Sequence, residues 1–317
     1  MKKRIISVLL ATVFALSVIG CGTKDTKEQD AYRQYGITCM ESGKYEDAVK
    51  AFQNALGESI GHIGEKELDI CFYKAKAQVL DGKTKDALAT YNAIIKYNKD
   101  ARAYYLRGDL YMDMGEEKKG RADFESAVQQ GKKNYEIYIG IYESLSRHEK
   151  KDEGQKYLSA AMEIKGDKPE DELYKGRISY LLGENKDAIS YLEKAKEHKQ
   201  MLASYYLGLA YDANGDSDKA KKCIAEYIKS GVATSYDLYE LGMQEMQDGN
   251  YKNALTYFNS GLELEKVPNK QNLMKSAIAA YEYSGDFDSA KKMMKEYLKA
   301  YPDDEEAKHE NTFLETR

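Results

Sequence analysis

The 317-residue sequence contains no tryptophan and only three prolines and four histidines. The histidines lie far apart, and no two of them have the helical spacing at which a pair binds a metal. The sequence also has no phosphate-binding glycine loop and no nucleophile elbow, and its acidic run at residues 303–306 is typical of a solvated helix start. We therefore expect no metal site, no cofactor and no enzymatic activity.

An excess of positive charge is also absent. Residues 1–20 contain three of the 48 basic residues and no acidic residue, so the remaining chain has 45 basic and 53 acidic residues and a net charge of -8. This balance argues against a nucleic-acid partner. Apolar residues make up 42% and charged residues 32%, with 28 tyrosines, which is typical of a soluble helical protein with enough apolar material for a core.

The N-terminus has the three parts of a secretory signal. A basic start at residues 2–4 is followed by an apolar run from Ile5 to Ile19 and then by Gly20 and Cys21. The run is shorter than the ~20 residues that a membrane-spanning helix needs, and no later segment is apolar enough to cross a bilayer. We expect residues 1–20 to be a signal peptide.

The end of this segment, Val18-Ile19-Gly20-Cys21, resembles the lipobox of bacterial lipoprotein precursors. In that family the cysteine is lipidated and becomes the new N-terminus. The resemblance implies a lipid on Cys21, with residues 21–30 as the lipidated N-terminus and a polar tether, and a protein anchored to the extracytoplasmic side of a bacterial cell membrane. An uncleaved anchor or an ordinary secretory peptide is the alternative.

From residue 30 onward, four columns of similar residues recur about once every 34 residues. The first column consists of small residues, with Ile278 in the eighth place: Gly36, Ala75, Gly108, Gly140, Gly176, Gly208 and Gly242. Seven residues later stands a glycine: Gly43, Gly82, Gly115, Gly183, Gly215, Gly249 and Gly285. A small residue and then a large apolar residue follow, as in Ala254 and Phe258. The fourth unit has Arg147 in place of the glycine and about two extra residues before Leu158.

These columns predict pairs of helices. The second glycine follows a segment of helical periodicity and can adopt the positive φ that ends a helix. The next helix places its small and large apolar residues four apart on one face, and the small residues let the two helices approach closely. A hairpin of this kind cannot bury its apolar face alone, so the units must stack on their neighbours.

The remaining cysteines, Cys39, Cys71 and Cys223, are odd in number and cannot form a complete disulfide framework. In the repeat register, Cys39 and Cys71 fall about seven residues out of step on neighbouring helices. The axial offset of ~10 Å exceeds an easy bridging distance. We expect buried free thiols.

The pattern resembles the tetratricopeptide repeat family, whose unit is a helical hairpin with glycine, alanine and bulky aromatic columns at these spacings. The resemblance implies an all-α fold, an α-solenoid of about eight hairpins that form a right-handed superhelix. It assigns the repeat array to residues 31–302 and a capping helix and tail to residues 303–317. Residues 57–67 are expected to form a longer connection.

In proteins of this family the first helices line a concave groove that holds a peptide or a partner helix. The resemblance implies such a groove here, lined by aromatic, aliphatic and methionine side chains: Tyr105, Met112, Ile137, Ile141, Leu173, Tyr180, Tyr205, Leu209, Tyr239, Met243 and Met246. The alternative for each residue is packing between repeats. Arg33, Lys76, Arg177 and Lys275 fall on the same face in isolation, so we expect no dedicated carboxylate clamp.

The sequence therefore predicts a membrane-anchored scaffold that binds other proteins or peptide segments in the bacterial cell envelope. One alternative is an assembly factor resembling the repeat lipoproteins that help to assemble outer-membrane β-barrels. Another is a glycan-binding receptor, because tyrosine pairs such as Tyr104-Tyr105 could stack on sugar rings. Inspection of the groove residues does not separate these functions.

Overall fold

The computed structural model describes residues 27–59, 63–166 and 168–316. Across these ranges the chain forms seventeen α-helices and no β-strand, which confirms the predicted all-α class. The predicted signal peptide and the predicted lipidation site at Cys21 lie outside the described residues, so both stay predictions.

The first compact unit comprises the described residues up to Val232 and contains six helical hairpins in succession. In each hairpin a tight turn joins a first helix to a second helix. The helices are α1 (Lys27–Glu41), α2 (Tyr45–Gly57), α3 (Glu65–Leu80), α4 (Thr84–Asn98), α5 (Ala101–Asp113), α6 (Glu117–Gln130), α7 (Tyr135–Arg147), α8 (Lys151–Met162), α9 (Pro169–Leu182), α10 (Asn185–Glu197), α11 (Leu202–Ala213) and α12 (Ser217–Lys229).

The second compact unit begins at Ala233 and contains two further hairpins and a final single helix. Its helices are α13 (Ser235–Gln247), α14 (Tyr251–Leu262), α15 (Lys270–Tyr283), α16 (Phe287–Ala300) and α17 (Glu305–Leu314). The eight hairpins in the described part of the chain match the predicted number. The right-handed sense of the superhelix stays a prediction.

The small-residue column lies where the two helices of a hairpin meet. A Cβ atom added at Gly208 would lie 2.4 Å from Cδ1 of Ile224, and one added at Gly242 would lie 2.3 Å from Cε1 of Phe258. No real carbon atoms approach so closely without a shift. Glycine therefore makes room for the large apolar residue of the second helix, as the column pattern predicts.

The second glycine column ends the first helix in seven hairpins. Gly215, for example, has φ of 85°, and the next backbone N–H, that of Asp216, donates to the carbonyl of Tyr211 at 2.8 Å. In the fourth hairpin α7 continues through Arg147, and Glu149, two residues later, takes the left-handed conformation with φ of 62°. A non-glycine residue pays about 1 kcal/mol for that conformation. The extra residues of this unit thus lengthen α7 at its C-terminal end, and its turn, residues 148–150, is as long as the turn at residues 114–116 between α5 and α6.

Apolar clusters form between neighbouring hairpins, which confirms that the units stack. One cluster joins Cys39, Phe52 and Ile70 from α1, α2 and α3. Cys39, Cys71 and Cys223 are free thiols; Cys39 and Cys223 are buried and Cys71 is half-buried. Between the first two hairpins α2 ends at Gly57 and α3 begins at Glu65, where the sequence predicts a longer connection.

The final helix, α17, packs on the last hairpin through Ala307 and Leu314. Asp304 caps its start by accepting the N–H of Ala307 at 3.1 Å. The ammonium group of Lys275 lies 2.7 Å from Asp304, and the hydroxyl of Tyr297 donates to the same carboxylate at 2.5 Å. These two partners hold the pKa of Asp304 well below its usual range.

Replacement of Gly242 by alanine tests the close approach of the helices. We expect Gly242→Ala to lower the free energy of unfolding of the second compact unit by about 1–3 kcal/mol, because the methyl group must displace the Phe258 ring. Gly57→Ala is the control, because an added Cβ at the end of α2 meets no neighbouring atom and alanine is the better helix former. Urea unfolding followed by circular dichroism measures both. An equal loss in the two variants would contradict the packing argument.

Candidate functional site

On one side of the first compact unit, first helices of successive hairpins lie next to each other. For example, α5 contacts α7, and α9 contacts α11. We call this side, formed by α1, α3, α5, α7, α9 and α11, the first-helix face. The predicted groove residues of this unit all lie on these helices.

Ion pairs join neighbouring first helices across this face. Nη2 of Arg33 in α1 lies 2.6 Å from Oδ2 of Asp69 in α3. Nη2 of Arg147 in α7 lies 2.5 Å from Oδ1 of Asp109 in α5. All four side chains are only partly exposed, so water screens these pairs less than it screens pairs on an open surface.

A third set of ion pairs surrounds Arg177 of α9, whose side chain is only 17% exposed. Its guanidinium lies 2.9 Å from Oε1 of Glu143 and 3.4 Å from Oε2 of Glu136, both in α7, and 5.5 Å from the centre of the Tyr206 ring in α11. Burial raises the pKa of Glu143, and Arg177 lowers it in part. Arg177 therefore links three consecutive first helices and favours the charged form of a half-buried carboxylate.

Two cationic side chains of this face have a different environment. The guanidinium of Arg102 lies 3.4 Å from the centre of the Phe72 ring, and burial lowers the pKa of Arg102. Lys76 follows Phe72 by one helical turn on α3. Burial lowers the pKa of Lys76 as well, and among the described residues no carboxylate lies within ion-pair distance of its ammonium group. Lys76 is thus a half-buried cation without a counter-ion in this part of the protein.

Five of the predicted groove residues lie in the core. Tyr105, Met112, Ile137 and Ile141 belong to one buried cluster between the third and fourth hairpins, and Leu173 belongs to a cluster of the fifth and sixth hairpins. The Tyr105 ring packs so closely on Gly140 that an added Cβ there would lie 2.6 Å from its Cζ atom. Because the first helices themselves are in contact, these side chains do not line an open surface, and the prediction for them needs this correction.

The other six predicted groove residues are half-buried. Tyr180, Tyr205 and Leu209 lie on the first-helix face, and burial and the nearby Asp212 raise the pKa of Tyr180. The second compact unit carries the other three: Tyr239, Met243 and Met246. Their role in binding a partner stays a prediction.

The repeat columns do not reveal the pairing of charges between repeats. Arg33 and Arg177 were expected to stand alone on this face, yet each has an acidic partner in a neighbouring hairpin. The partners are 36 residues apart for Arg33 and Asp69 and 34 residues apart for Glu143 and Arg177. A search of the sequence for opposite charges one repeat length apart would find these ion pairs.

In the ranges that the structure describes, no three His, Cys, Asp or Glu side chains are grouped so as to hold a metal ion. Among the helices of the same ranges, none is both long enough and apolar enough to span a membrane.

The stacked hairpins, with small residues at each helix crossing and glycines at each turn, define a helical-repeat scaffold protein. The chain contains tetratricopeptide repeats: sequence models of this repeat match residues 74–135, 202–230 and 271–304. Repeats of this family serve as scaffolds for protein–protein interactions, and that is the class of function the chain has.

Solved structures with a similar chain path include a tetratricopeptide repeat protein from Parabacteroides merdae ATCC 43184. It is 12% identical, with 80% of this chain and 98% of that chain covered and a TM-score of 0.47. Another is PilW, a widely conserved type IV pilus biogenesis factor, which is 17% identical, with 66% of this chain and 97% of that chain covered and a TM-score of 0.43. No curated protein matches the sequence.

Replacement of Arg177 by methionine tests the central ion-pair set. We expect Arg177→Met to lower the free energy of unfolding by about 2–3 kcal/mol at pH 7, because Glu143 keeps its charge and loses its partner. The pKa of Glu143, already raised in the folded protein, rises further in the variant. A carboxyl with a raised folded-state pKa stabilises the fold at low pH and loses that contribution as pH increases, so the deficit should shrink as pH falls from 7 towards 5.

The control is Arg121→Met in α6, because Arg121 also pairs with two glutamates but its side chain is 34% exposed. This variant should lose less than about 1 kcal/mol. Urea titrations at several pH values measure both proteins. A deficit in Arg177→Met that does not change with pH would contradict the assignment to Glu143.

Proposed function

We propose that the protein is a lipid-anchored scaffold of the bacterial cell envelope that binds a segment of a partner protein on its first-helix face. The tetratricopeptide repeats support the scaffold function. The order of basic, apolar and Gly20-Cys21 segments at the N-terminus supports export and lipidation.

The observation that carries the binding proposal is Lys76. A charged group that is removed from water without a counter-ion costs stability, and perturbed groups of this kind concentrate at functional sites. Arg33 and Arg177, which the sequence places on the same face, have carboxylate partners within the fold. Lys76 has none in the described chain, so a carboxylate from a bound partner would supply the missing counter-ion.

The chemistry of the same face indicates what else the partner contains. Phe72, which precedes Lys76 by one turn, is buried under Arg102 and does not itself offer a contact. Further along the face the half-buried Tyr180, Tyr205 and Leu209 offer partly exposed apolar surface. We therefore infer a partner segment with apolar side chains and at least one acidic residue.

Replacement of Cys21 by serine tests the anchor. Cys21→Ser should abolish incorporation of labelled fatty acid and release the protein from the membrane fraction, because a single residue carries the lipid. Cys39→Ser is the control, because that thiol is buried in the first hairpin and is far from the signal sequence. Labelling and membrane retention that persist in Cys21→Ser would overturn the anchor.

Replacement of Lys76 by methionine tests the binding face. Methionine keeps the apolar stem and removes the charge, so the variant should be at least as stable as the natural protein. We expect crosslinking in cells followed by mass spectrometry to recover the partner at least about tenfold less efficiently from Lys76→Met, because a charged hydrogen bond at a partly buried site is lost.

The matched control is Lys221→Met on α12, a second helix, where the lysine is exposed. This variant should capture the partner as the natural protein does. If Lys76→Met and Lys221→Met capture the same proteins equally well, the partner binds elsewhere on the chain.

A further inference from the structure

The first helix of the array has an apolar edge that later first helices do not expose. This edge consists of two residues in each first helix. One stands four positions before the small-residue column, and the other stands one position before that column. In α3, α5, α7, α9, α11, α13 and α15 none of these residues is exposed. Several, such as Ile139, Leu207 and Ala277, are fully or almost fully buried. These two positions are therefore covered wherever another described helix of the same compact unit precedes the hairpin.

In α1 the same two positions are Tyr32 and Tyr35, and their side chains are 38% and 57% exposed. They are three residues apart and so lie on one side of the helix. Among the described residues no helix precedes α1. The rings are thus left uncovered at the end of the array.

The last helix of the chain, α17, exposes a different kind of surface. Apart from Phe313, the outward side of α17 exposes polar residues, among them Glu305, Lys308, His309 and Thr312. A polar outer face is what a terminal helix of a repeat array needs in order to be stable in water. The array therefore has a polar cap at its C-terminal end and an aromatic surface at the end where the proposed anchor is attached.

Only five residues separate Cys21 from Lys27, the first residue of α1. At ~3.6 Å for each residue step, a lipid on Cys21 holds the start of α1 within about 20 Å of the membrane. So short a connection gives the membrane surface an effective concentration in the millimolar range for α1. Even a weak attraction between the bilayer and two aromatic rings is then enough for contact.

We propose that Tyr32 and Tyr35 of α1 dock in the headgroup region of the membrane that carries the anchor. This inference rests on the proposed lipidation of Cys21. Tyrosine suits such a place because its ring is apolar and its hydroxyl stays in contact with water and headgroups. Docking fixes the first hairpin against the bilayer and leaves the rest of the array accessible to partners.

The attraction comes from the rings and not from charge. Glu28 lies on the same side of α1, and Glu46 and Asp47 lie in the first turn of α2. Lys50 pairs with both Glu46 and Asp47, so these side chains do not attract an anionic surface. Docking should therefore occur on phosphatidylcholine vesicles without an anionic lipid.

The absence of tryptophan from the chain allows a direct test. Tyr35→Trp introduces the only tryptophan, at a site where the ring is exposed and the fold tolerates the larger side chain. The lipidated protein is reconstituted on phosphatidylcholine vesicles, and its fluorescence is compared with and without brominated phosphatidylcholine, which quenches tryptophan inside the bilayer. Tyr32→Trp is the second probe. The matched control is Tyr283→Trp at the end of α15, where the ring is 67% exposed.

We expect brominated lipid to quench the Tyr35→Trp or Tyr32→Trp emission by roughly half and to leave Tyr283→Trp unchanged, because an interfacial ring lies close to the acyl chains. Flotation of the vesicles reports the anchor separately. Protein that floats with unquenched Tyr32→Trp and Tyr35→Trp overturns the docking and leaves the lipoprotein function intact. Protein that does not float overturns both. A blue-shifted emission of Tyr35→Trp already in the soluble Cys21→Ser form shows that the chain or a second copy covers the ring, and it also overturns the docking.

Discussion

The close approach of two helices at a glycine is the constraint on which the rest of this structure depends. Where Gly208 faces Ile224 or Gly242 faces Phe258, a methyl group would already collide with the neighbouring side chain. This contact sets the separation of the helices within a hairpin. It also positions the apolar residues that the hairpin presents to its neighbours, so the stacking of successive units follows from it.

Stacking brings first helices together and creates the face on which we propose that a partner binds. Neighbouring first helices bury the side chains at their seam, such as Tyr105 and Ile137, and leave charged residues at its edge. Most of these charges find partners one repeat away, as Arg177 does with Glu143. Lys76 has no carboxylate partner in the described chain, so its partial burial lowers the stability of the fold. A bound carboxylate would remove this unfavourable free energy.

The two ends of a repeat array cannot be equivalent, because each end lacks one neighbour. Here α17 provides a polar end, and Asp304 fixes its start through Lys275 and Tyr297. The first hairpin instead exposes two tyrosines close to the predicted lipidation site. The membrane docking that we propose would cover these two rings, so an aromatic edge at this end need not be a liability.

The sequence by itself determined the helical class, the eight hairpins, the turn glycines and the type of repeat, because glycine at a helix crossing and at a positive φ recurs at a regular spacing. It also indicated which helices form the first-helix face. Only the tertiary structure decided which side chains on that face are accessible. Tyr105 and Tyr205 hold the same column position, yet the first is buried and the second is half-buried. The physical reason is that burial and ion pairing depend on the distance between neighbouring hairpins. The residue pattern of one repeat does not specify that distance.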